Sequence, residues 1–281
     1  MEPSRQVNEE QAALWNGPSG RAWIEAQQAL DRMFEPIERL LVEALGDGTR
    51  RVLDVGCGTG STTLAIARRL GAHGQCTGVD ISQPMIGVAR ERAAREGSPA
   101  RFLCADAQSH TFEAGAFDRL VSRFGVMFFD DPAGAFANLR CATRAGGTLD
   151  CIVWRTAAEN SFMTTAERAA APLLPDLPAR KPAVGQFAFA DPRHVEAVVG
   201  QGGWGAIAVE PVDVECTLTE AALMHCLTWI GPVGRVLQDA DATRRRQVVD
   251  AMRPAFDPYV HDGEVRFTAA CWRILARSPS P

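Results

Sequence analysis

The stretch Val52-Leu-Asp-Val-Gly-Cys-Gly-Thr-Gly60 constrains this chain more than any other. A short apolar run enters a turn with glycine at 56, 58 and 60, and a helix-periodic segment follows at once. Glycines let the backbone approach a ligand closely, and the helix opening behind them presents free N–H groups. Such turns occur in several nucleotide-binding folds, so the spacing has to discriminate. A dinucleotide fingerprint would put its third glycine at 61, but that residue is Ser61. No Gly-Lys-Ser/Thr occurs anywhere, which argues against a Walker A loop.

From residue 51 onward short β-like runs alternate with helical ones, the pattern of a parallel sheet with crossover helices. Strands are predicted over 51–55, 75–80, 101–105, 117–123 and 148–153, with helices over 60–70, 84–96 and 132–142. Gly146-Gly147 breaks the chain ahead of the fifth strand. Before this core, residues 21–45 place Trp23, Leu30, Phe34, Ile37, Leu41 and Leu45 at helical spacing, with Pro36 expected to kink or divide the helix. Residues 1–20 are polar and punctuated by Gly17, Pro18 and Gly20. Beyond Trp154 the rhythm is lost, and prolines at 172, 175, 178 and 182 mark 156–190 as an insertion. A helix over 191–199 starts on the Asp191 cap and Pro192. Strands follow over 206–216 and 264–276, and the mostly helical 219–257 between them is placed to cover a pocket. The tail 278–281 is expected to be disordered. This organisation gives a helical N-terminal cap over 1–48 and an α/β domain over 49–281, with insertions at about 156–190 and 217–262 forming a substrate lid.

Charge narrows the partners. The net charge is −5, so the overall balance gives no reason to expect nucleic acid. Lys181 is the only lysine, which together with abundant alanine suggests a GC-rich bacterial genome. The eight cysteines form no C-x-x-C pair, which argues against a zinc knuckle or a thioredoxin-like site, and no metal site is expected. Most are expected to be buried thiols without a disulfide framework. The first residues lack a signal-peptide apolar region, and no apolar run approaches the ~18 residues of a membrane span. A cytoplasmic protein, monomeric or homodimeric and without a membrane partner, is expected.

Two acidic positions reinforce the glycine turn. Gly78-Val-Asp-Ile-Ser82 puts a carboxylate at the end of the second strand, about 20 residues past the turn, where Asp80 can accept from both hydroxyls of a ribose. Cys104-Ala-Asp-Ala107 puts Asp106 at the end of the third strand, where it can meet an adenine edge. All three features lie at carboxyl ends of strands, the edge at which open α/β sheets bind ligands.

With these motifs the chain resembles the class I S-adenosylmethionine-dependent methyltransferases over most of its length. Asp54-Val-Gly-Cys-Gly-Thr-Gly60 resembles their motif I, Val79-Asp80 their ribose motif, Ala105-Asp-Ala107 their adenine motif, and Phe117-Asp118 to Phe129 their motif IV. Gly146-Gly147 sits where the family has a Pro-Gly-Gly turn, with Ala145 replacing the proline. Trp15-Asn-Gly17, Ser122-Arg-Phe-Gly-Val-Met-Phe-Phe129 and Phe187-Ala-Phe-Ala-Asp-Pro192 resemble a bacterial subgroup related to ubiquinone and menaquinone methyltransferases. The resemblance implies a Rossmann-like seven-stranded mixed sheet with an antiparallel last strand and helices on both faces. It implies S-adenosylmethionine as cofactor, S-adenosylhomocysteine as product, and methyl transfer to an O, N or C nucleophile of a small molecule. The implied cofactor contacts are Asp54, Gly56, Cys57, Gly58, Gly60, Asp80, Ile81, Met85, Asp106, Ala107 and Ser122. Trp15 and Trp23 belong to the segment that closes over the cofactor in relatives. Phe124, Met127, Trp154 and Trp229 are candidate acceptor contacts, joined by Phe162.

Catalytic groups are harder to assign. A general base is needed only if the nucleophile must lose a proton, and positioning alone supplies much of the rate of an in-line displacement. His110 and His225 are the candidate bases, and Arg123 is a candidate for holding an anionic substrate. No Asn-Pro-Pro-Tyr-type motif follows the fourth strand, which argues against the amino-methyltransferases of DNA bases and glutamine. The alternatives are a non-catalytic S-adenosylmethionine-binding regulator or pseudo-enzyme, and a nicotinamide oxidoreductase.

Overall fold

The computed structural model describes residues 8–180 and 183–280. Lys181 and Pro182, which entered the sequence reading, lie outside these residues, as do 1–7 and the last. Three helices precede the sheet: α1 (Glu9–Asn16), α2 (Pro18–Glu25) and α3 (Gln27–Glu43). The expected division at Pro36 is not where the chain breaks. It breaks at Ala26, and Pro36 lies inside α3. A proline there forfeits a backbone hydrogen bond, but α3 buries Leu30, Phe34, Ile37 and Leu41 as one stripe, which holds the helix together.

The alternating core forms where the sequence places it. In order come β1 (Arg51–Val55), α4 (Ser61–Leu70), β2 (Gln75–Asp80), α5 (Gln83–Glu96), β3 (Arg101–Cys104), β4 (Phe117–Arg123), α6 (Pro132–Ala142) and β5 (Thr143–Trp154). β5 starts five residues before its predicted bound of 148, because Thr143 already pairs with Phe117 across a register shift. Gly146-Gly147 is thus an irregularity within the strand, with Gly146 at φ 72°.

The second half contains α7 (Ser161–Ala170), α8 (Pro192–Gln201), β6 (Gly205–Thr219), α9 (Glu220–Trp229), α10 (Gly231–Gln238), α11 (Ala242–Met252), the two-residue β7 (Val260–His261) and β8 (Glu264–Arg277). The 156–190 insertion is therefore partly helical. The carboxyl-terminal tail is pinned at Ser278, whose N–H donates to Gly147 O and whose carbonyl accepts from Gly146 N, both at 2.9 Å. No helix among the described residues is long and apolar enough to cross a membrane.

The sheet order is β3-β2-β1-β4-β5-β8-β6, with β7 paired to β8. Strands β1 to β5 run parallel, and β8 runs antiparallel to both β5 and β6. The mixed seven-strand path with an antiparallel last strand matches the expectation. Val52, Leu53, Leu120, Val121, Ile152 and Val153 are wholly buried, as strands covered on both faces require. The order reverses between β1 and β4, so a crevice opens at their carboxyl ends, the position where such sheets bind ligands.

Candidate active site

The glycine turn leaves β1 at this crevice. Gly56, Gly58 and Gly60 all have positive φ, at 69°, 55° and 87°, a region that side chains resist. Gly56 N and Cys57 N donate to Val79 O at 2.9 and 3.1 Å, which locks the turn to β2. Asp80 grips the turn from the same side. Its Oδ2 accepts from Gly58 N and its Oδ1 from Ser82 N, each at 2.8 Å. Burial raises the Asp80 pKa, opposed by the N–H donors of Ser82, Gly58 and Ile81.

Asp54 stands behind the turn, 1% exposed, and accepts from Thr63 Oγ1 at 2.6 Å. Burial pushes its pKa up to about 7, against the pull of the Thr63 hydrogen bond and the Arg123 guanidinium; Glu38 and Asp80 add to the rise. Burial, with Asp80 and Asp54 nearby, also pushes the Cys57 thiol well up, which keeps it neutral and non-nucleophilic. Ser122, fully buried at the end of β4, donates from Oγ to Val55 O at 2.8 Å and accepts from Gly125 N at 3.0 Å. It thereby fastens the end of β4 to the end of β1.

The N-terminal helices roof this edge. α1 reaches from β3 to β2: Asn8 meets Asp106 and Asp130 at one end, and Asn16 bonds Ile81 O and Gln83 N at the other. Trp15 O accepts from Ser82 Oγ at 2.6 Å, and its ring meets Trp23 and Phe128 edge-on at 6.0 and 5.1 Å. A Cβ built on Gly58 would come 2.8 Å from Met85 Cε and 3.8 Å from Trp23 Nε1, so both residues lie over the turn. Arg92 of α5 spans the turn, donating to Thr59 O and pairing with Asp31 of α3, both at 2.8 Å.

The glycine turn, its Asp80 grip and the covering helices thus meet at the switch point of the sheet, and known proteins resemble this part of the chain. Residues 52–147 match the family described as Methyltransferase domain. Over those residues the chain is similar to methyltransferase domains. Aklanonic acid methyltransferase of Streptomyces sp. (strain C5) is 32% identical over 135 residues, covering 46% of this chain and 61% of that protein. A demethylmenaquinone methyltransferase of Thermus thermophilus is 36% identical over 106 residues, covering 38% of this chain and 48% of that protein. The chain thus spans about half the length of the curated relatives it matches, and its kinship to quinone-type methyltransferases is the one the flanking motifs suggest. In fold, it resembles the YcgJ protein of Bacillus subtilis at a TM-score of 0.56 and 18% identity, over 87% of this chain and 98% of that one.

Beside the glycine turn lies an aromatic cluster. Phe124 stacks on Trp154 with centroids 4.5 Å apart and planes 9° apart, and Phe34 of α3 meets both edge-on at 5.4 and 6.0 Å. Phe124 takes φ 66°, which is strained for a bulky residue and is found most often at functional positions. Arg123 covers the Phe34 ring at 5.8 Å and reaches Phe34 O at 3.4 Å. Among the described residues no carboxylate lies within ion-pair distance of its guanidinium. Met127 is buried in the same core, 2% exposed.

The remaining candidates lie apart from one another. His110 packs edge-on against Phe112 at 4.7 Å, and Phe112 against Phe117 at 6.3 Å. Phe117 begins β4 and Arg123 ends it, so about 20 Å of strand separates His110's aromatic neighbours from the cluster. His225 contacts Glu25 O at 3.3 Å and lines a cleft of ≈ 380 Å³ between α2–α3 and the β6–α9 junction, with Trp229 tilted against it. Phe162 stacks on Phe267 at 3.9 Å in a separate group with Phe256 and Tyr259. Ala107 is buried, and its carbonyl accepts from Asn138 Nδ2. Sequence reasoning missed Gln11, Gln108 and Arg92, polar residues that no motif flags, and read Phe34 only as part of a helix stripe.

Proposed function

We propose that this protein transfers the methyl group of S-adenosylmethionine to a planar small molecule bearing an acidic oxygen. The observation that carries the reading is the pairing of the Asp80-gripped glycine turn with the Phe34–Phe124–Trp154 cluster at the same strand ends. The residues fit the cofactor. Gly58 forms a cradle that a Cβ would fill, Asp80 is the ribose acceptor, Asp106 faces the base edge, and Met85, Trp15 and Trp23 close over them. When bound, the cofactor supplies an electrophilic methyl group on a sulfonium.

The chain's own residues position and exclude. Ser122 holds the ends of β1 and β4 together, which fixes the aromatic cluster relative to the turn. Aromatic faces favour a nearby cation, and removing water strengthens that attraction. Arg123, with no carboxylate within ion-pair distance among the described residues, stabilises an acceptor oxygen as its anion, and an acceptor already ionised needs no general base. This accords with the placement of His110 and His225. α9 and α10 of the 217–262 insertion, packed against β6 and α2, form the lid in this reading. The names of the two relatives, which concern aklanonic acid and demethylmenaquinone, favour an oxygen-rich aromatic acceptor. Incubation with radiolabelled cofactor and a panel of phenolic, enolic and carboxylic aromatics, with neutral aromatic amines alongside, tests this. Label transfer to at least one panel member that falls in Arg123→Met supports it; transfer only to neutral amines overturns the acceptor class.

A further inference from the structure

Among the described residues, Asn8 Oδ1, Gln11 Oε1 and Gln108 Nε2 are buried polar atoms without partners; Asn8 Nδ2 and Gln108 N both donate to Asp106 Oδ1, and Gln11 lies one helical step beyond Asn8. The orientations of Gln108 and Asn8 are set by what the other half of each amide does. Gln108 Oε1 accepts from Asp131 N at 2.9 Å, so its NH₂ is the free end. Asn8 Nδ2 donates toward Asp106 Oδ1 at 3.4 Å, so its oxygen is free. Gln11 is the one buried residue of α1, and a helix that buries only a glutamine with an unbonded carbonyl is not built for hydrophobic docking. Asn8, Gln11 and Trp15 fall at helical spacing along the same side of α1, between its anchor at Asp106 and its anchor at Ser82.

We infer that α1 reads the base of the cofactor: Gln11 and Asn8 accept from the exocyclic amine of adenine, and Gln108 donates to a ring nitrogen beside it. This rests on the S-adenosylmethionine reading above. Together these residues offer two acceptors and one donor. That pattern complements the amine and ring nitrogen of adenine, and it opposes hypoxanthine, in which an oxygen replaces the amine and the ring nitrogen carries hydrogen. Base recognition and closure of α1 are then one event, because the acceptors belong to the helix that covers the site.

The test compares S-adenosylhomocysteine with S-inosylhomocysteine by calorimetry on the full chain, in the wild type, Gln11→Met and Gln11→Glu. Methionine keeps the shape and removes the acceptor; glutamate keeps an acceptor oxygen. Circular dichroism confirms that each variant is folded. The wild type is expected to prefer the adenosyl compound by about 100-fold, since buried groups left unpaired by the wrong ligand discriminate strongly. Gln11→Met is expected to cut that preference at least about tenfold, mostly by weakening the adenosyl compound, and Gln11→Glu to retain more of it. Hydrogen exchange over residues 9–16 is expected to slow on binding in the wild type and less so in Gln11→Met. An unchanged preference in Gln11→Met, with S-adenosylhomocysteine still bound, overturns the assignment while leaving the cofactor reading intact. Failure of the folded wild type to bind S-adenosylhomocysteine overturns both.

Discussion

Asp54 should make the stability of this protein depend on pH in an unusual direction. Its carboxyl has an ordinary pKa of 3.8, raised to about 7 by burial in the native state. A raised native pKa means the folded protein holds the proton more tightly than the unfolded chain. The resulting stabilisation is complete below about pH 4 and disappears as pH climbs through 7. The shift corresponds to about 4 kcal/mol in total, of which about 3 kcal/mol is lost between pH 5 and pH 8. Asp54→Asn removes the titration and keeps the shape, and Thr63 can rotate to donate to the new carbonyl. Urea unfolding of both proteins at pH 5, 6, 7 and 8 isolates the effect, because every other ionisable group is common to the pair. The difference in unfolding free energy, wild type minus variant, should fall by about 3 kcal/mol across that range, most steeply between pH 5 and 7. Parallel curves would refute the assignment of a neutral, buried Asp54.

Three further outcomes follow from the site. A Cβ at Gly125 would overlap Val55 O and lie 2.7 Å from Gly56 Cα, so Gly125→Ala should cost about 1–3 kcal/mol by thermal unfolding and weaken cofactor binding, because backbone must move. Ser122→Ala removes one donor and one acceptor at the β1–β4 junction and should cost about 2 kcal/mol in urea. Arg123→Met should lower kcat/KM for an acidic acceptor by about 10- to 100-fold while leaving cofactor affinity within about twofold, measured by steady-state kinetics and calorimetry.

The parts legible in the sequence are those where a local pattern decides the structure. β1, β2 and β4 were readable to the residue because apolar runs end at fixed glycines and acids: Gly56 after Val55, and Asp80 closing β2. α8 was readable from proline after an aspartate cap, and Asp191 indeed accepts from Arg193 N; α6 turns out to use the same device, with Asp131 accepting from Gly134 N. α1 was missed because it has no apolar stripe; hydrogen bonds to Asp130, Ile81 and Gln83, all distant in sequence, hold it. Pro36 does not divide the helix for the complementary reason: the packed face of α3 outweighs the local penalty. The same holds for the site. Asp80 announced itself through spacing, whereas the relation of Phe34 to Phe124 and Trp154 exists only once α3 is laid against the sheet.

The central claim is that the Asp80-gripped turn binds S-adenosylmethionine. Calorimetric titration of purified, cofactor-free protein with S-adenosylmethionine and S-adenosylhomocysteine, beside Asp80→Ala, tests it directly. Micromolar binding of both compounds by the wild type is expected. Asp80→Ala should bind at least about 100-fold more weakly, since each hydrogen bond lost to a charged acceptor is worth about 1.5–3 kcal/mol. Binding of neither compound by folded wild-type protein, or equal binding by folded Asp80→Ala, would contradict the account.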